Sequence, residues 1–209
     1  MIYHDLLQGS DEWQQLRAGR FTASRIVDVM AKTKSGYSAS RKNYLAELMV
    51  ERMTGVPTAH FTSPAMQWGT THEPDARTVY ELMTGNDVQQ VGLIIPDDMD
   101  YVAASPDGLI GDDGGLEIKC PNTATHIETL RTRKIPRNYM LQMQWNMFCS
   151  GRSWWDFVSY DPRMRLPKLT SIIIRVDRDD DMIAEAVAEV EKAEGELVAL
   201  VAEIQELAQ

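Results

Sequence analysis

Apolar residues recur at helical spacing along the C-terminal part of the chain and predict an amphipathic helix from residue 179 onward. The other side of this helix is acidic, and Glu194 is the exception within the apolar stripe. A second helix is predicted over residues 41–54, closed by Gly55. A third, over residues 137–150, is apolar nearly all round, so we expect it to be buried.

The N-terminal part is predicted to hold short helices separated by polar segments. Ser10 or Asp11 can cap a helix that Gly19 ends, and Thr22 can cap the next one. Residues 32–40 are polar and are expected to form a mobile loop.

A longer helix is predicted from Ser63 and Pro64 to Gly85, because serine followed by proline is a common helix start. Pro74 interrupts it, since proline has no amide hydrogen and its ring clashes with the preceding turn. We therefore expect a kink or a break directly after Glu73.

Strands are predicted where β-branched and aromatic residues cluster, at residues 88–95, 101–104, 154–160 and 170–176. Residues 105–121 (SPDGLIGDDGGLEIKCP) add two short strands joined by a glycine-rich turn. Strands among helices predict a mixed α/β (α+β) fold.

Composition sets the outer limits. A chain of 209 residues, 44% hydrophobic and 25% charged, suits one globular domain over residues 1–209, with residues 179–209 as its C-terminal acidic helix. No run approaches the roughly 18 apolar residues of a membrane span, and the N-terminus has no secretory character. We expect a cytoplasmic protein without membrane association, in which Cys120 and Cys149 are reduced, buried thiols.

A net charge of −10 argues at first against nucleic acid, because phosphate contacts dominate such binding. The acids, however, concentrate after residue 179, whereas arginine and lysine cluster in residues 17–34 and 131–137. A localised basic surface on an acidic protein would confine DNA to one face or channel.

The candidate chemistry lies in residues 105–121. Glu117 and Lys119 are two positions apart, so on a strand they point to the same side, and Asp107 can meet them across the hairpin. Mg²⁺ or Mn²⁺ prefers oxygen ligands, which Asp107, Glu117 and the Ile118 carbonyl could supply. The lysine could orient the attacking water, or deprotonate it if its pKa is lowered. The pattern fits phosphodiester hydrolysis, although many surface hairpins carry the same residue types.

Two further stretches leave alternatives open. In residues 16–25 (LRAGRFTASR), Arg17 and Ser24 lie near a predicted helix start, which is either a phosphate pocket or a solvated loop. Gln142 and Gln144 lie in the buried helix and need partners, either a backbone group or a phosphate or metal-bound water.

Six blocks in order along the chain resemble the PD-(D/E)-x-K nuclease superfamily, and within it the lambda exonuclease family of viral recombinases. The blocks are WQQLRAGRFTAS, QWGTTHEPDAR, AASPDG, GGLEIKCP, NYMLQMQWNM and YDPRM. The resemblance implies a central mixed β-sheet flanked by α-helices.

The same resemblance implies roles for single residues. Asp107, Glu117 and the Ile118 carbonyl would hold metal, with Lys119 as the catalytic lysine, and Glu73 and Gln142 would assist. Arg17 and Ser24 would bind the 5′-phosphate, so for residues 16–25 the resemblance favours the phosphate pocket over the solvated loop. Other residues expected to contact DNA are Lys34, Met66 as a wedge between base pairs, Arg137 and Gln144.

The resemblance further implies a Mg²⁺-dependent 5′→3′ exonuclease with two ions per site, for which Mn²⁺ can substitute. It would act on double-stranded DNA ends, preferably 5′-phosphorylated, as a homotrimeric ring with a single-strand annealing protein, in a bacterial or phage-infected cell. A PD-(D/E)-x-K endonuclease and a non-catalytic DNA-end clamp remain alternatives.

Overall fold

The computed structural model describes residues 1–59 and 62–207. Its central feature is a sheet of five strands with helices on both sides. The helices described are α1 (Asp11–Arg17), α2 (Ile26–Val29), α3 (Ala39–Thr54), α4 (Pro64–Thr84), α5 (Thr123–Thr132), α6 (Arg137–Ser150), α7 (Pro167–Thr170) and α8 (Asp180–Glu206).

The strands form the central sheet and three small pairs. The central sheet has the order β11-β10-β9-β8-β5, in which β9 and β10 are parallel and the other neighbours antiparallel. The strands are β1 (Ile2–Tyr3), β2 (Phe21–Thr22), β3 (Lys32–Thr33), β4 (Gly36–Tyr37), β5 (Val88–Gln89), β6 (Leu93–Ile94), β7 (Val102–Ala103), β8 (Gly108–Ile110), β9 (Gly114–Lys119), β10 (Trp154–Tyr160) and β11 (Ser171–Asp177).

Alternation along the central strands divides the core between the two faces of the sheet. On β10, Trp155 and Phe157 pack in the cluster that contains the buried residues of α6, whereas Val158 packs with Ala76 and Tyr80 of α4. The sheet is therefore covered by α6 on one face and by α4 on the other, which confirms the predicted fold class.

The structure differs from two predictions of local structure. Residues 32–40 are not one loop, because β3 and β4 pair as an antiparallel hairpin before α3 begins. Residues 88–95 are two strands, since Val88 pairs with Ile110 in the central sheet while Leu93 pairs with Tyr3. The pairings of Val88 and Leu93 join distant parts of the chain and leave no local pattern, whereas the β3–β4 hairpin is formed by residues close together in a polar stretch.

Helix α4 is continuous through Pro74, so of the two predicted alternatives, a kink or a break, the break is wrong. Its ends are as predicted, with Ser63 as the N-cap and Gly85 as a left-handed C-cap. Beyond the proline, Ala76 and Tyr80 are fully buried against the sheet. We attribute the continuity to this packing, which offsets one missing backbone hydrogen bond.

Helix α8 confirms the amphipathic pattern, because Ile183, Val190 and Leu197 are buried. Glu194 in the apolar stripe is explained by an ion pair with Arg52 of α3. In the described ranges, no helix is both long enough and apolar enough to cross a lipid bilayer.

Both cysteines are buried and free, as predicted. Burial raises the pKa of Cys120 to about 12 and raises that of Cys149 further above its usual range.

Candidate active site

Strands β8 and β9 bring the predicted acids and lysine together. Gly108 pairs with Leu116, so Asp107 lies across from Glu117 at the end of the hairpin. The Asp107 carboxylate accepts a hydrogen bond from the Ile118 amide at 2.6 Å, and Lys119 Nζ lies 2.5 Å from Glu117 Oε1. The antiparallel register thus produces the convergence expected from sequence spacing.

Helix α4 adds Glu73 to this group. Glu73 lines a cavity of about 760 Å³ together with Asp107, Ile118 and Lys119. One turn later, Arg77 Nη2 donates a hydrogen bond to Glu73 Oε1 at 2.6 Å. Because α4 continues through Pro74, the proline does not remove Glu73 from the site.

Three carboxylates with shifted pKa values, Glu73, Asp107 and Glu117, form a group that we call the carboxylate cluster. Burial raises the pKa of Glu117 to about 7, opposed by Lys119 and assisted by Asp107. Burial, and then the charge of Asp107, raises the pKa of Glu73 to about 7 as well. Burial also raises the pKa of Asp107. A divalent cation would relieve this crowding of buried negative charge.

Lys119 stays protonated in this environment. Burial by itself lowers its pKa, but the charges of Glu117 and Asp107 outweigh burial and raise it above the usual range. Its ammonium also lies 5.0 Å from the centre of the Tyr139 ring. Of the two roles considered for the lysine, orienting water fits this state and removing a proton does not.

Helix α6 contributes a residue that the sequence did not single out. Asn146 is fully buried, and its Nδ2 donates a hydrogen bond to Glu117 Oε2 at 3.2 Å. Gln142 is half-buried one turn earlier on the same side of the helix. A polar residue four positions after Gln142 in an apolar helix was the signal available for Asn146.

Gln144 faces a different direction, and its predicted contact with DNA is wrong. Its Nε2 donates to the carbonyl of Asp177, and its Oε1 accepts from the amide of Asp179. The side chain is buried, so it joins α6 to the segment between β11 and α8. This is the backbone partner considered as the simpler alternative.

A second cavity, of about 580 Å³, contains Arg17 and Ser24 together with Thr22, Arg25 and Met66. The Arg17 guanidinium lies 3.9 Å from the centre of the Trp13 ring, and its Nε has no hydrogen-bond partner in residues 1–59 or 62–207. Burial lowers the pKa of Arg17. Arg25, in contrast, pairs with Asp28 and Glu47. Of these two arginines, Arg17 is therefore the one with a nitrogen available to bind an anion.

The remaining predicted DNA contacts are more scattered. Met66 lines both cavities and is 55% exposed, so it is not a core residue. Lys34 is exposed in the turn between β3 and β4, and Arg137 is exposed at the start of α6. Neither is among the residues that line the two cavities.

A comparison with protein families decides the relationship of this chain. The model of the YqaJ-like viral recombinase domain matches residues 12–153. The chain belongs to this family. The matched region includes the principal residues of both cavities, from Arg17 to Tyr139, while β10, α7, β11 and α8 follow it.

Solved structures of exonucleases resemble this chain over most of its length. An alkaline exonuclease from Laribacter hongkongensis, LHK-Exo, is 46% identical with a TM-score of 0.88, covering 95% of this chain and 98% of that one. Its complex with dAMP matches equally well. A phage-related exonuclease from Haemophilus somnus 129PT, at 12% identity and a TM-score of 0.74, covers 88% and 96% and shows the shared fold alone. No curated protein matches the sequence.

The YqaJ-like domain thus places Glu73, Asp107, Ile118 and Lys119 on one cavity, with the buried Glu117 paired to Lys119. No three His, Cys, Asp or Glu side chains of the described residues are grouped as a ready metal cage. Arg77 and Lys119 hold oxygens of Glu73 and Glu117 in ion pairs. The chemical set still fits a hard divalent cation, since all its candidate ligands are oxygens.

Proposed function

We propose that this protein is a metal-dependent DNA exonuclease. The observation that carries the proposal is the carboxylate cluster: Glu73 and Asp107 are half-buried and line one cavity, Glu117 beside them is fully buried, and the pKa values of all three are raised. The 46% identical neighbour is itself an alkaline exonuclease, which supports the same reaction class. Bound Mg²⁺, for which Mn²⁺ can substitute, would stabilise charge on the phosphate and activate water, with two ions per site.

Each residue of the site then has a role. Asp107, Glu117 and the Ile118 carbonyl would hold the cations, with Glu73 as a further ligand. Lys119, kept protonated by its neighbours, orients the attacking water and faces the negative charge that grows on the phosphate. Gln142 assists from α6.

The substrate is a linear duplex, and one strand is degraded from its 5′ end to leave a 3′ single-stranded overhang. Arg17 and Ser24 hold the 5′-phosphate in the second cavity. Met66, which lines both cavities, separates the end of the duplex. The protein works as a homotrimeric ring and passes its product to a single-strand annealing protein.

Substitution of the site tests this function. Asp107→Ala, Glu117→Ala and Lys119→Ala should each reduce release of nucleotides by about 10²-fold or more, while DNA-end binding persists. Asp112→Ala, in the exposed turn of the same hairpin, is the matched control and should retain activity. Substrates are a linear duplex labelled separately at each end and a covalently closed circle. Wild-type rates with Lys119→Ala would refute the mechanism, and cleavage of the circle would indicate an endonuclease.

A further inference from the structure

An arginine that follows β10 faces the cavity of the carboxylate cluster without contributing to the proposed metal site. Arg163 lines that cavity together with Glu73, Asp107 and Lys119. It lies in the YDPRM block, beyond residues 12–153 that match the family. Neither the family match nor the proposed metal site assigns a role to Arg163.

The guanidinium of Arg163 is held from two sides. Its Nε and Nη2 donate to the two carboxylate oxygens of Asp161 at 2.7 Å and 3.1 Å, and Nη2 also donates to the carbonyl of Pro121 at 3.0 Å. Its plane lies against the Trp68 ring, 4.5 Å from the ring centre. The Asp161 side chain is fully buried, so the partner that fixes the arginine is itself immobile.

One edge of this fixed guanidinium remains for a ligand. Nη1 makes no hydrogen bond with any group in residues 1–59 or 62–207. The side chain is 45% exposed, whereas Asp161 beneath it is 0% exposed. An arginine oriented in advance loses little conformational entropy on binding, and its planar donors match phosphate oxygens.

We propose that Arg163 binds a backbone phosphate of the DNA strand in the carboxylate cavity, at a nucleotide next to the one whose phosphate is cut. The inference rests on the proposed function, because it requires a nucleic acid strand in that cavity. Asp161 and Trp68 are positioning residues in this arrangement, since they hold the guanidinium.

The chain contains a matched control for this geometry. Arg175 donates to both carboxylate oxygens of Asp156 and stacks on Trp154, 3.5 Å from the ring centre. Its side chain is 49% exposed, close to the value for Arg163. Arg175 is not among the residues lining the carboxylate cavity. The two arginines are therefore held in the same way, by a carboxylate and a tryptophan ring, but only Arg163 lines the carboxylate cavity.

Steady-state kinetics on linear duplex compare Arg163→Gln with Arg175→Gln. We expect Arg163→Gln to raise KM roughly tenfold with kcat nearly unchanged, because it removes a charge-assisted contact that is equal in ground and transition states. The dependence of log KM on log salt should become shallower by about one phosphate contact. Arg175→Gln should change neither quantity. Matching behaviour of the two variants would refute the proposal, as would a fall in kcat at constant KM.

A chemical substitution in the DNA identifies the phosphate. Duplexes carrying a single uncharged methylphosphonate at successive positions near the degraded end are digested by wild type and Arg163→Gln. At one position the two enzymes should become equal, because the contact is already absent there. A penalty that persists at every position would mean that Arg163 acts only within the fold.

The outcome for Arg163 is distinguishable from that for the function as a whole. If wild-type protein releases no nucleotides, the proposed function fails irrespective of Arg163. Should thermal unfolding show that Arg163→Gln does not fold, Arg163→Lys keeps the charge and takes its place. The expected result for lysine is an unchanged salt dependence with a smaller rise in KM that also vanishes at the same methylphosphonate.

Discussion

The carboxylate of Glu117 combines full burial with three charged neighbours. Lys119 pairs with one oxygen and Asn146 donates to the other, yet burial still raises the pKa to about 7. Asp107 and Glu73 add negative charge to the same place. The protein thus keeps a group that destabilises the fold, as expected if Glu117 serves the proposed metal site.

The pH dependence of the free energy of unfolding should reveal how much the burial of Glu117 destabilises the fold. An unfolded glutamate loses its proton near 4.5, whereas folded Glu117 holds it until about 7. In that window the folded state binds more protons, so the metal-free protein loses stability as pH rises. Relative to Glu117→Gln, the loss should reach up to about 3 kcal/mol above about pH 7.

Urea unfolding of both proteins with a chelator, from about pH 5 to about pH 8.5, measures this difference. The exposed turn variant Asp112→Asn is the control and should run parallel to wild type. Added Mg²⁺ should restore stability to the wild type more than to Glu117→Gln at the upper pH. A difference independent of pH would contradict the account.

Arg17 is the second residue whose environment predicts a phenotype. Its Nε lacks a hydrogen-bond partner in the described ranges, and burial lowers its pKa. We therefore expect an anion to bind there, because it would satisfy the buried donor. Arg17→Ala should slow digestion of 5′-phosphorylated ends by roughly tenfold or more and affect 5′-hydroxyl ends less. Paired rate measurements on the two substrates check this, and equal losses on both would remove Arg17 from a phosphate pocket.

At the scale of elements, β9 depends on close contact with β10. Trp154 and Trp155 pair with Gly114 and Gly115, and each indole ring lies over the glycine opposite. A Cβ atom at either glycine would overlap the ring. Since β9 also carries Glu117, this contact fixes the strand that holds part of the proposed active site.

Alanine substitutions at two glycines should therefore act in opposite directions. Gly115→Ala forces the fully buried Trp155 to move and should destabilise the fold by about 1 to 3 kcal/mol. Gly195→Ala in α8 meets nothing within 4 Å and should stabilise by about 0.5 to 1 kcal/mol. Urea unfolding gives both values, and equal effects would argue against the Trp155 contact.

At the scale of the whole molecule, α8 supports the region around the second cavity. Arg52 makes two hydrogen bonds to Glu194, at 2.9 Å and 2.7 Å, and its Nε donates to the carbonyl of Gly19. The amide of Gly19 in turn donates to Glu51. The C-terminal helix is thus linked through α3 to the loop that follows Arg17.

Glu194→Ala should destabilise the protein by about 1 to 2 kcal/mol, because it leaves the half-buried Arg52 without its carboxylate. Glu203→Ala, on the exposed side of the same helix, should change stability by less than about 0.5 kcal/mol. Thermal unfolding of both variants provides the comparison. A similar small effect for the two would mean that the ion pair contributes little.

The proposed ring makes a prediction about mass. Exposed apolar side chains such as Leu82, 81% exposed, and Met83 are candidates for burial between subunits. Light scattering should give three times the 23.6 kDa of one chain, with or without DNA. A mass of one chain at all concentrations would exclude the trimer.

Sequence alone determined the features whose cause is local. Strand alternation placed Glu117 and Lys119 on one side, and the short hairpin brought Asp107 to them. Helix ends at Ser63, Gly55 and Gly85 follow from capping chemistry, which acts within a few residues.

Only the tertiary structure decided how distant groups meet. Packing keeps α4 helical through Pro74, so that Glu73 lies at the site. Gln144 instead hydrogen-bonds the backbone of Asp177 and Asp179. Asn146 donates a hydrogen bond to Glu117. Glu194 pairs with Arg52. The physical reason is that burial, desolvation and ion pairing depend on contacts between segments far apart in the chain, whereas periodicity and capping depend only on neighbours.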